Sequence, residues 1–406
     1  MNFDFSDDQK LLRDQARKFL FDKCDRQSVR TVLDDDQLHY HKELWSQISE
    51  MGWTGTAIPE EYGGLGLGML ELCVIAEELG RSLAPTPFSS SIYLFAEFIK
   101  NYGSEDQKKK FLPLIASGKK IGTFALSETN GTPKPSNVKT EYSSEKINGY
   151  KSPVSDGETA DYLIIAANSD NKGNRNSLSL YIVDLHQNGV SKTSLETIDP
   201  TRPACSIKFE NVKAELLGEQ GMAWDMTENI FNRAAVLYSF EQVGGAQVSL
   251  DEAKKYSMER FAFGRQIGSF QALKHKMADM YVKIELARSN AYYGAWALST
   301  DSNELPVAAA GARVSASDAF NYAAKENIQI HGGVGFTWDY DCHLFYRRSK
   351  LLSLNIGSTR QWKENLISNL EKWNIVYLWT LMIHSRKLHL EKKRGTFSRQ
   401  MQKKDQ

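Results

Sequence analysis

The chain has 406 residues, with 50 basic and 50 acidic side chains, so its formal net charge is zero. This balance argues against nucleic-acid binding by the protein as a whole, and no run of about 18 apolar residues could span a bilayer. The 41% of apolar residues is ordinary for a soluble protein, and the length allows two or three domains. The acidic N-terminus is unlike a secretory signal, and the four cysteines are isolated in the sequence. We therefore expect a cytoplasmic protein with reduced thiols and no metal site.

Residues 1–120 predict a helical N-terminal domain. Ser6 and Gln9 have the spacing of a capping box, and apolar residues at helical spacing follow as far as residue 24. Helical patterns then continue to about residue 120, interrupted by a glycine-rich loop at 59–66. This loop lacks the G-x-G-x-x-G pattern and no strand precedes it, so a Rossmann-type nucleotide site is excluded there.

Residues 121–224 predict a small β-domain of barrel or sandwich type. The apolar runs at 162–167 and 180–183 are short and bounded by turn-forming residues, as buried strands are. From residue 225 to residue 371 the periodicity is helical again, with predicted helices at 239–262, 270–299 and 307–326. The last of these is rich in alanine, which favours close packing of helices in a bundle.

Residues 372–406 form a basic tail. An apolar run at 375–383 is too short to cross a bilayer, and residues 386–406 hold eight basic and two acidic residues. Two interpretations stay open: a solvated segment, or an amphipathic contact with a partner subunit or a membrane surface.

Five sequence motifs in a fixed order carry a family resemblance. They are Tyr-Gly-Gly-Leu-Gly at 62–66, Glu-Glu-Leu-Gly-Arg at 77–81, Gly-Ser-Glu-Asp-Gln-Lys at 103–108, Arg-Phe-Ala-Phe-Gly-Arg at 260–265 and Gln-Ile-His-Gly-Gly-Val-Gly at 329–335. Together they resemble the acyl-CoA dehydrogenase family of flavoproteins. The resemblance covers about residues 1–370, and the basic tail lies outside it.

The resemblance implies both an architecture and a reaction. The family has a helical N-terminal domain, a middle β-domain and a C-terminal four-helix bundle, with FAD between the last two at a dimer interface. A carboxylate removes the α-proton of an acyl-CoA, a hydride moves to the flavin, and electron-transfer flavoprotein accepts the electrons. The α-C–H of a thioester is a weak acid, so the base must be a desolvated carboxylate with a raised pKa.

The family's two base positions hold no carboxylate in this chain. The first falls at Ile356. The second, in the first bundle helix, falls at Ala234 or, with a two-residue shift, at Asn232. None of these side chains can accept a proton from carbon. The weak alternative is Glu241, which follows an apolar stretch of the same predicted helix.

The motifs that contact FAD are preserved unequally. In the middle domain, two family loops are altered at 127–135 and 153–157, which leaves Ser127 and Ser155 as candidate ligands. Loss of the family's tryptophan at Pro153 removes a large π-surface from the flavin wall. The contacts that a dimer mate provides are intact: Arg260, Phe263, Gln271, Gln329, Gly332 and Gly333. Arg260 is expected on phosphate, and the two glycines would let the backbone approach the cofactor; His331 beside them is expected to be structural.

This asymmetry suggests that the chain resembles the small, base-lacking subunit of a heteromeric acyl-CoA dehydrogenase. Such a subunit would complete the FAD site of a second acyl-CoA dehydrogenase subunit in a dimer or tetramer. Two alternatives stay open: a catalytically inactive scaffolding subunit, or a stand-alone dehydrogenase with a displaced carboxylate base.

Overall fold

The computed structural model describes residues 5–35, 37–128, 131, 133–169 and 174–372. The two interpretations of the basic tail therefore concern residues that lie, from 373 onward, outside the described part of the chain. Residues 129, 130 and 132 of the altered loop at 127–135 also lie outside it.

The N-terminal region is helical, as predicted. Its helices are α1 Asp7–Lys23, α2 Arg26–Leu33, α3 Lys42–Glu50, α4 Met69–Ser82, α5 Glu97–Tyr102 and α6 Glu105–Ala116, and a π-helix at Ser89–Ala96 runs directly into α5. The predicted capping box is confirmed, because Ser6 and Gln9 exchange side-chain and backbone hydrogen bonds at the start of α1. The glycine-rich loop contains a short 3-10 helix at Glu60–Tyr62.

The middle of the chain is a connected sheet of eight strands. The strands are β1 Gly122–Ala125, β2 Glu141–Ser143, β3 Lys146–Ser155, β4 Tyr162–Asn168, β5 Leu178–Asp184, β6 Val190–Leu195, β7 Ala204–Lys213 and β8 Glu215–Leu217. Their order is β6-β7-β3-β2-β4-β5-β8, and β1 pairs in parallel with β4. Both apolar runs predicted as strands are confirmed in β4 and β5, which are antiparallel and buried along almost their whole length.

The C-terminal region is formed by long packed helices. They are α7 Ala223–Glu259, α8 Gln271–Ser299, α9 Leu305–His331 and α10 Cys342–Leu352, and residues 359–372 are also helical. Helix α7 begins at Ala223, close to residue 225, where the predicted helical periodicity resumes, and it includes the stretch before 239 as well. It ends before residue 262 because the chain turns there into a hairpin, β9 Phe261–Ala262 and β10 Arg265–Gln266.

Helices α4 and α7 cross in direct backbone contact. A Cβ atom on Gly80 would lie 1.9 Å from the carbonyl oxygen of Glu241, and one on Gly244 would lie 2.0 Å from that of Glu77. Glycine at both positions therefore sets the distance between the helices and fixes the part of α7 that carries Glu241. The predicted fold class, mainly helical with a central β-domain, is confirmed. In the described part of the chain, no helix is long and apolar enough to cross a membrane.

Candidate flavin and substrate site

Arg260 and Phe263 lie on an exposed hairpin that follows α7. Arg260 caps the helix, and the hairpin turns at Phe263 and Gly264, whose φ angles are 53° and 76°. This left-handed conformation is ordinary for glycine and costly for phenylalanine, and such strain is typical of functional positions. The Phe263 side chain is 95% exposed. The hairpin thus presents a cation and an aromatic ring away from this chain's own core.

Gln329, Gly332 and Gly333 lie at the end of α9, next to that hairpin. Gly332 has a φ of 66°, and a Cβ atom at either glycine would meet nothing within 4 Å. The backbone at both residues is therefore open to a close ligand. The Tyr256 ring stacks on His331 with 4.2 Å between centroids, and Tyr256 also accepts the hydrogen bond from the backbone N–H of Arg260. This stacking places the motif at 329–335 next to the hairpin that carries Arg260.

His331 is a packing residue in this arrangement. Its ring is buried, and Nδ1 lies 2.8 Å from the backbone oxygen of Asn327. The side chain therefore holds the end of α9 in place. Gln271, the remaining residue of the intact set, is exposed at the first position of α8.

Exposed apolar side chains surround these motifs. We call this surface the cofactor-side patch; its members are Phe261, Phe263, Val334, Phe336, Trp338 and Tyr340. Large exposed apolar patches rimmed by polar groups are typical of protein and ligand interfaces. The patch is a surface that a second subunit and a cofactor can cover.

Ser127 and Ser155 lie in two loops of the sheet that are tied together. The backbone N–H of Ser152 donates to the carbonyl oxygen of Ser127 at 2.9 Å, and Thr123 donates its hydroxyl to the carbonyl oxygen of Ser155 at 2.7 Å. Both serine side chains are half-buried, and neither hydroxyl has a partner among the described residues. Each is free to bond a ligand, whereas the neighbouring Pro153 is exposed and has no donor.

The side chains that the sequence predicts at the family's base positions cannot take a proton. Ala234 is fully buried, Asn232 is half-buried, and Ile356 packs partly against the core. Ile356 has a φ of 55°, a left-handed conformation that is strained for a β-branched residue. Its loop is held by Arg313, whose Nη2 donates to the carbonyl oxygens of Leu352 and of Asn355.

Glu241 belongs to a group of buried charges that we call the buried charge cluster: Asp156, Asp199, Arg202, Glu241, Arg313 and Arg348. Arg202 Nη1 lies 3.5 Å from Glu241 Oε1, and Arg348 Nη1 lies 3.8 Å from the same oxygen. Arg348 Nε donates to Asp199 at 2.6 Å, and Arg202 Nη2 lies 3.5 Å from Asp156. The cluster joins the sheet region to the long helices.

Burial is the largest effect on the proton affinity of Glu241. It raises the pKa of Glu241 above the ordinary value, although Arg202, Arg348 and Arg313 act in the opposite direction. Burial likewise raises the pKa of the Tyr93 phenol well above its ordinary value, and Glu241 adds to this effect.

Sequence reasoning found Glu241 but missed the other members of the cluster. Glu241 was detectable because it interrupts an apolar stretch. Arg202 and Arg348 stand in polar surroundings in the sequence, where arginine is normally exposed. Their burial depends on contacts between residues almost 150 positions apart, which no local pattern reveals.

The fold and the motifs match known proteins along most of the chain. The N-terminal domain model of acyl-CoA dehydrogenases matches residues 6–119, and the C-terminal domain model matches residues 219–367. The acyl-CoA dehydrogenase IpdE2 of Mycolicibacterium smegmatis is 30% identical over 357 residues, which are 88% of this chain and 96% of that protein. The chain belongs to the acyl-CoA dehydrogenase family.

Two solved structures extend this similarity to three dimensions. Butyryl-CoA dehydrogenase from Megasphaera elsdenii has a TM-score of 0.84 at 26% identity, over 91% of this chain and 100% of that one. The Tcur3481-Tcur3483 steroid ACAD has a TM-score of 0.78 at 26% identity, over 91% and 99% of the two chains. Members of this family are FAD-dependent oxidoreductases.

The residues of this chain fit a flavin dinucleotide on one side. Arg260 would supply a cation for phosphate, Gly332 and Gly333 leave space for a close ligand, and Phe263 would offer its exposed aromatic face. Ser127 and Ser155 supply free hydroxyls on the sheet side. When bound, FAD supplies the acceptor for the hydride.

Proposed function

We propose that this chain is the base-lacking subunit of a heteromeric acyl-CoA dehydrogenase. It would complete the FAD site of a partner subunit that carries the catalytic carboxylate. The supporting observation is an asymmetry: the motif residues that reach a neighbouring subunit's cofactor are kept and exposed, whereas Ile356 and Ala234 stand at the base positions.

The reaction proposed for the assembly is the α,β-desaturation of an acyl-CoA to a 2-enoyl-CoA. In the proposed assembly, the partner's carboxylate takes the α-proton. This chain's Arg260 neutralises cofactor phosphate, and the open backbone at Gly332 and Gly333 positions the dinucleotide. The proton step needs a base within hydrogen-bond reach, which an isoleucine or an alanine cannot provide.

The cofactor-side patch is the surface proposed to meet the partner. Its exposed aromatic residues would lose contact with water on association, and aromatic side chains are enriched at protein interfaces. Electron-transfer flavoprotein as the acceptor and a cytoplasmic location stay predictions from the sequence.

One observation favours a second candidate function, a stand-alone dehydrogenase with Glu241 as its base. Glu241 is buried and its pKa is raised, as a base for a thioester α-proton requires. Against it, Arg202 and Arg348 both lie within 4 Å of the carboxylate and favour its ionised, less basic form. We therefore rank this candidate second, ahead of an inactive scaffold.

Expression of the chain alone, and together with a candidate partner that keeps the catalytic carboxylate, tests these proposals. The heteromer predicts flavin absorbance and anaerobic bleaching by acyl-CoA only for the pair, and loss of both with the partner's base replaced by glutamine. Bleaching by the chain alone at rates ordinary for the family would contradict the heteromer. If that bleaching disappeared in Glu241→Gln, the second candidate would be supported; no flavin in any combination would support the scaffold.

A further inference from the structure

Lys151 is a fully buried lysine in the middle of β3, beside the loop that carries Ser127. Its ammonium Nζ lies 2.6 Å from Glu128 Oε1 and donates to the carbonyl oxygen of Leu126 at 3.1 Å. Lysine is almost never fully buried unless it is paired, because its charge loses the solvation that water provides. A buried ion pair at this place in the sheet therefore calls for an explanation.

The ion pair holds three consecutive residues that follow β1 against β3. Lys151 binds the carbonyl oxygen of Leu126 and the carboxylate of Glu128. The backbone N–H of Ser152 donates to the carbonyl oxygen of Ser127 at 2.9 Å. Ser127 thus lies between two residues that the lysine anchors, and its own backbone is bonded as well. This arrangement fixes the direction in which the free Ser127 hydroxyl points.

Glu128 also ties this segment to the residues just before β2. Its carboxylate accepts the backbone N–H of Lys139 at 2.6 Å and that of Thr140 at 3.0 Å. Burial raises the pKa of Glu128, but Lys151, Lys139 and Thr140 lower it to a net value below the ordinary 4.5. The carboxylate is therefore ionised at neutral pH, and it keeps two backbone donors even when the ammonium group is removed.

The burial of Lys151 does not favour its charged form. Desolvation lowers the pKa of Lys151 from 10.5 to about 8, although Glu128, the charged group that faces it among the described residues, acts in the opposite direction. The folded protein therefore disfavours the ammonium ion relative to the unfolded chain. Replacement of buried ion pairs by apolar side chains is often neutral or stabilising for this reason. The loop that the pair holds explains its presence better than stability does.

We propose that Lys151 and Glu128 are positioning residues, whose ion pair holds the Ser127 hydroxyl in place for the flavin. Neither side chain touches the cofactor in this proposal; both act through the backbone on either side of Ser127. The inference rests on the proposed flavin site, in which Ser127 is a candidate ligand on the sheet side. Holding a ligand in place requires no base, so the role is compatible with a subunit that has no turnover of its own.

Titration of FAD tests the assignment on the full-length chain, assembled with the candidate partner that keeps the catalytic carboxylate. Flavin fluorescence measures the dissociation constant of the flavin-free pair for FAD. Lys151→Met and Ser127→Ala should each weaken binding by about threefold to tenfold, the loss expected for one hydrogen bond. The two substitutions combined should weaken it no more than either one alone, because both remove the same contact.

Stability measurements separate positioning from a structural role. Lys151→Met should leave the urea midpoint of the full-length chain unchanged or raise it, because a buried charge is removed and Glu128 keeps its backbone donors. Lys120→Met is the matched control: Lys120 pairs with Asp161 at 2.8 Å just before the other end of β1. It should leave FAD binding unchanged. A structural role for Lys151 would instead lower the midpoint and add to the effect of Ser127→Ala.

The outcomes distinguish this inference from the proposed function. If either Lys151→Met or Ser127→Ala leaves FAD binding unchanged, or if their effects add, the inference is overturned and the heteromer stands. A lower urea midpoint for Lys151→Met, or a variant that does not fold, also overturns the inference, because the ion pair would then serve stability. If the pair with the wild-type chain binds no FAD, the proposed function and the inference that rests on it both fail.

Discussion

Replacement of Gly244 by alanine tests the reasoning about the crossing of α4 and α7. The new methyl carbon would lie 2.0 Å from the carbonyl oxygen of Glu77, whereas ordinary van der Waals contact begins at 3.4 Å. The two helices would have to move apart by more than 1 Å, and the neighbouring contact at Gly80 would be lost with it. The substitution therefore acts on a backbone contact that side-chain rotation cannot relieve.

The expected effect of Gly244→Ala is the difference between two contributions. Alanine in a helix interior is favoured over glycine by about 1 kcal/mol. Overpacking of a close contact costs about 1–3 kcal/mol and occasionally more, and here the atoms concerned are backbone. We expect a net loss in the free energy of unfolding of about 1–2 kcal/mol, measured from the midpoint of urea denaturation.

Gly311 in α9 provides the matched control. It is also interior to a long helix, but a Cβ atom there would meet nothing within 4 Å of this chain. Gly311→Ala should therefore stabilise the protein by up to about 1 kcal/mol. A Gly244→Ala protein as stable as Gly311→Ala would refute the inference that the α4–α7 contact excludes a side chain.

Three further predictions concern the cofactor, acid stability and the thiols. Arg260→Ala should weaken flavin retention about tenfold or more. Arg265→Ala, which loses only its stacking on Phe270, should retain flavin. Equal loss of flavin in both variants would contradict the role of Arg260. Glu97→Gln should cost about 3 kcal/mol at neutral pH, because it leaves buried cations without their carboxylate. Burial raises the pKa of Glu97, but Lys100 and Arg233 lower it further, to a net value below the ordinary 4.5. The wild type should therefore lose this stabilisation as pH falls below 4.5 in acid denaturation, and Glu97→Gln should lack that loss. A maleimide should modify none of the buried thiols until urea unfolds the chain. The four thiols are Cys24, Cys73, Cys205 and Cys342. Rapid labelling of any of them in the folded protein would contradict their burial.

The sequence by itself determined the fold class and the family. Helical periodicity, the capping box at Ser6 and the buried runs of β4 and β5 are local signals, since they depend on neighbours a few residues apart. The five motifs are local as well, and they identified the family and the exposed residues proposed to bind flavin.

Tertiary structure alone decided which charges are buried and what they face. Arg202, Glu241 and Arg348 come from a loop and two separate helices, and their meeting depends on how the sheet packs against the long helices. The contact of α4 with α7 and the stacking of Tyr256 on His331 are likewise long-range. The spacing of apolar residues in the sequence indicates which helix or strand they form. The electrostatic surroundings of a residue depend instead on the other helices and strands that pack against it. For this reason the sequence identified the family, but it could not show that the charges around Glu241 are buried.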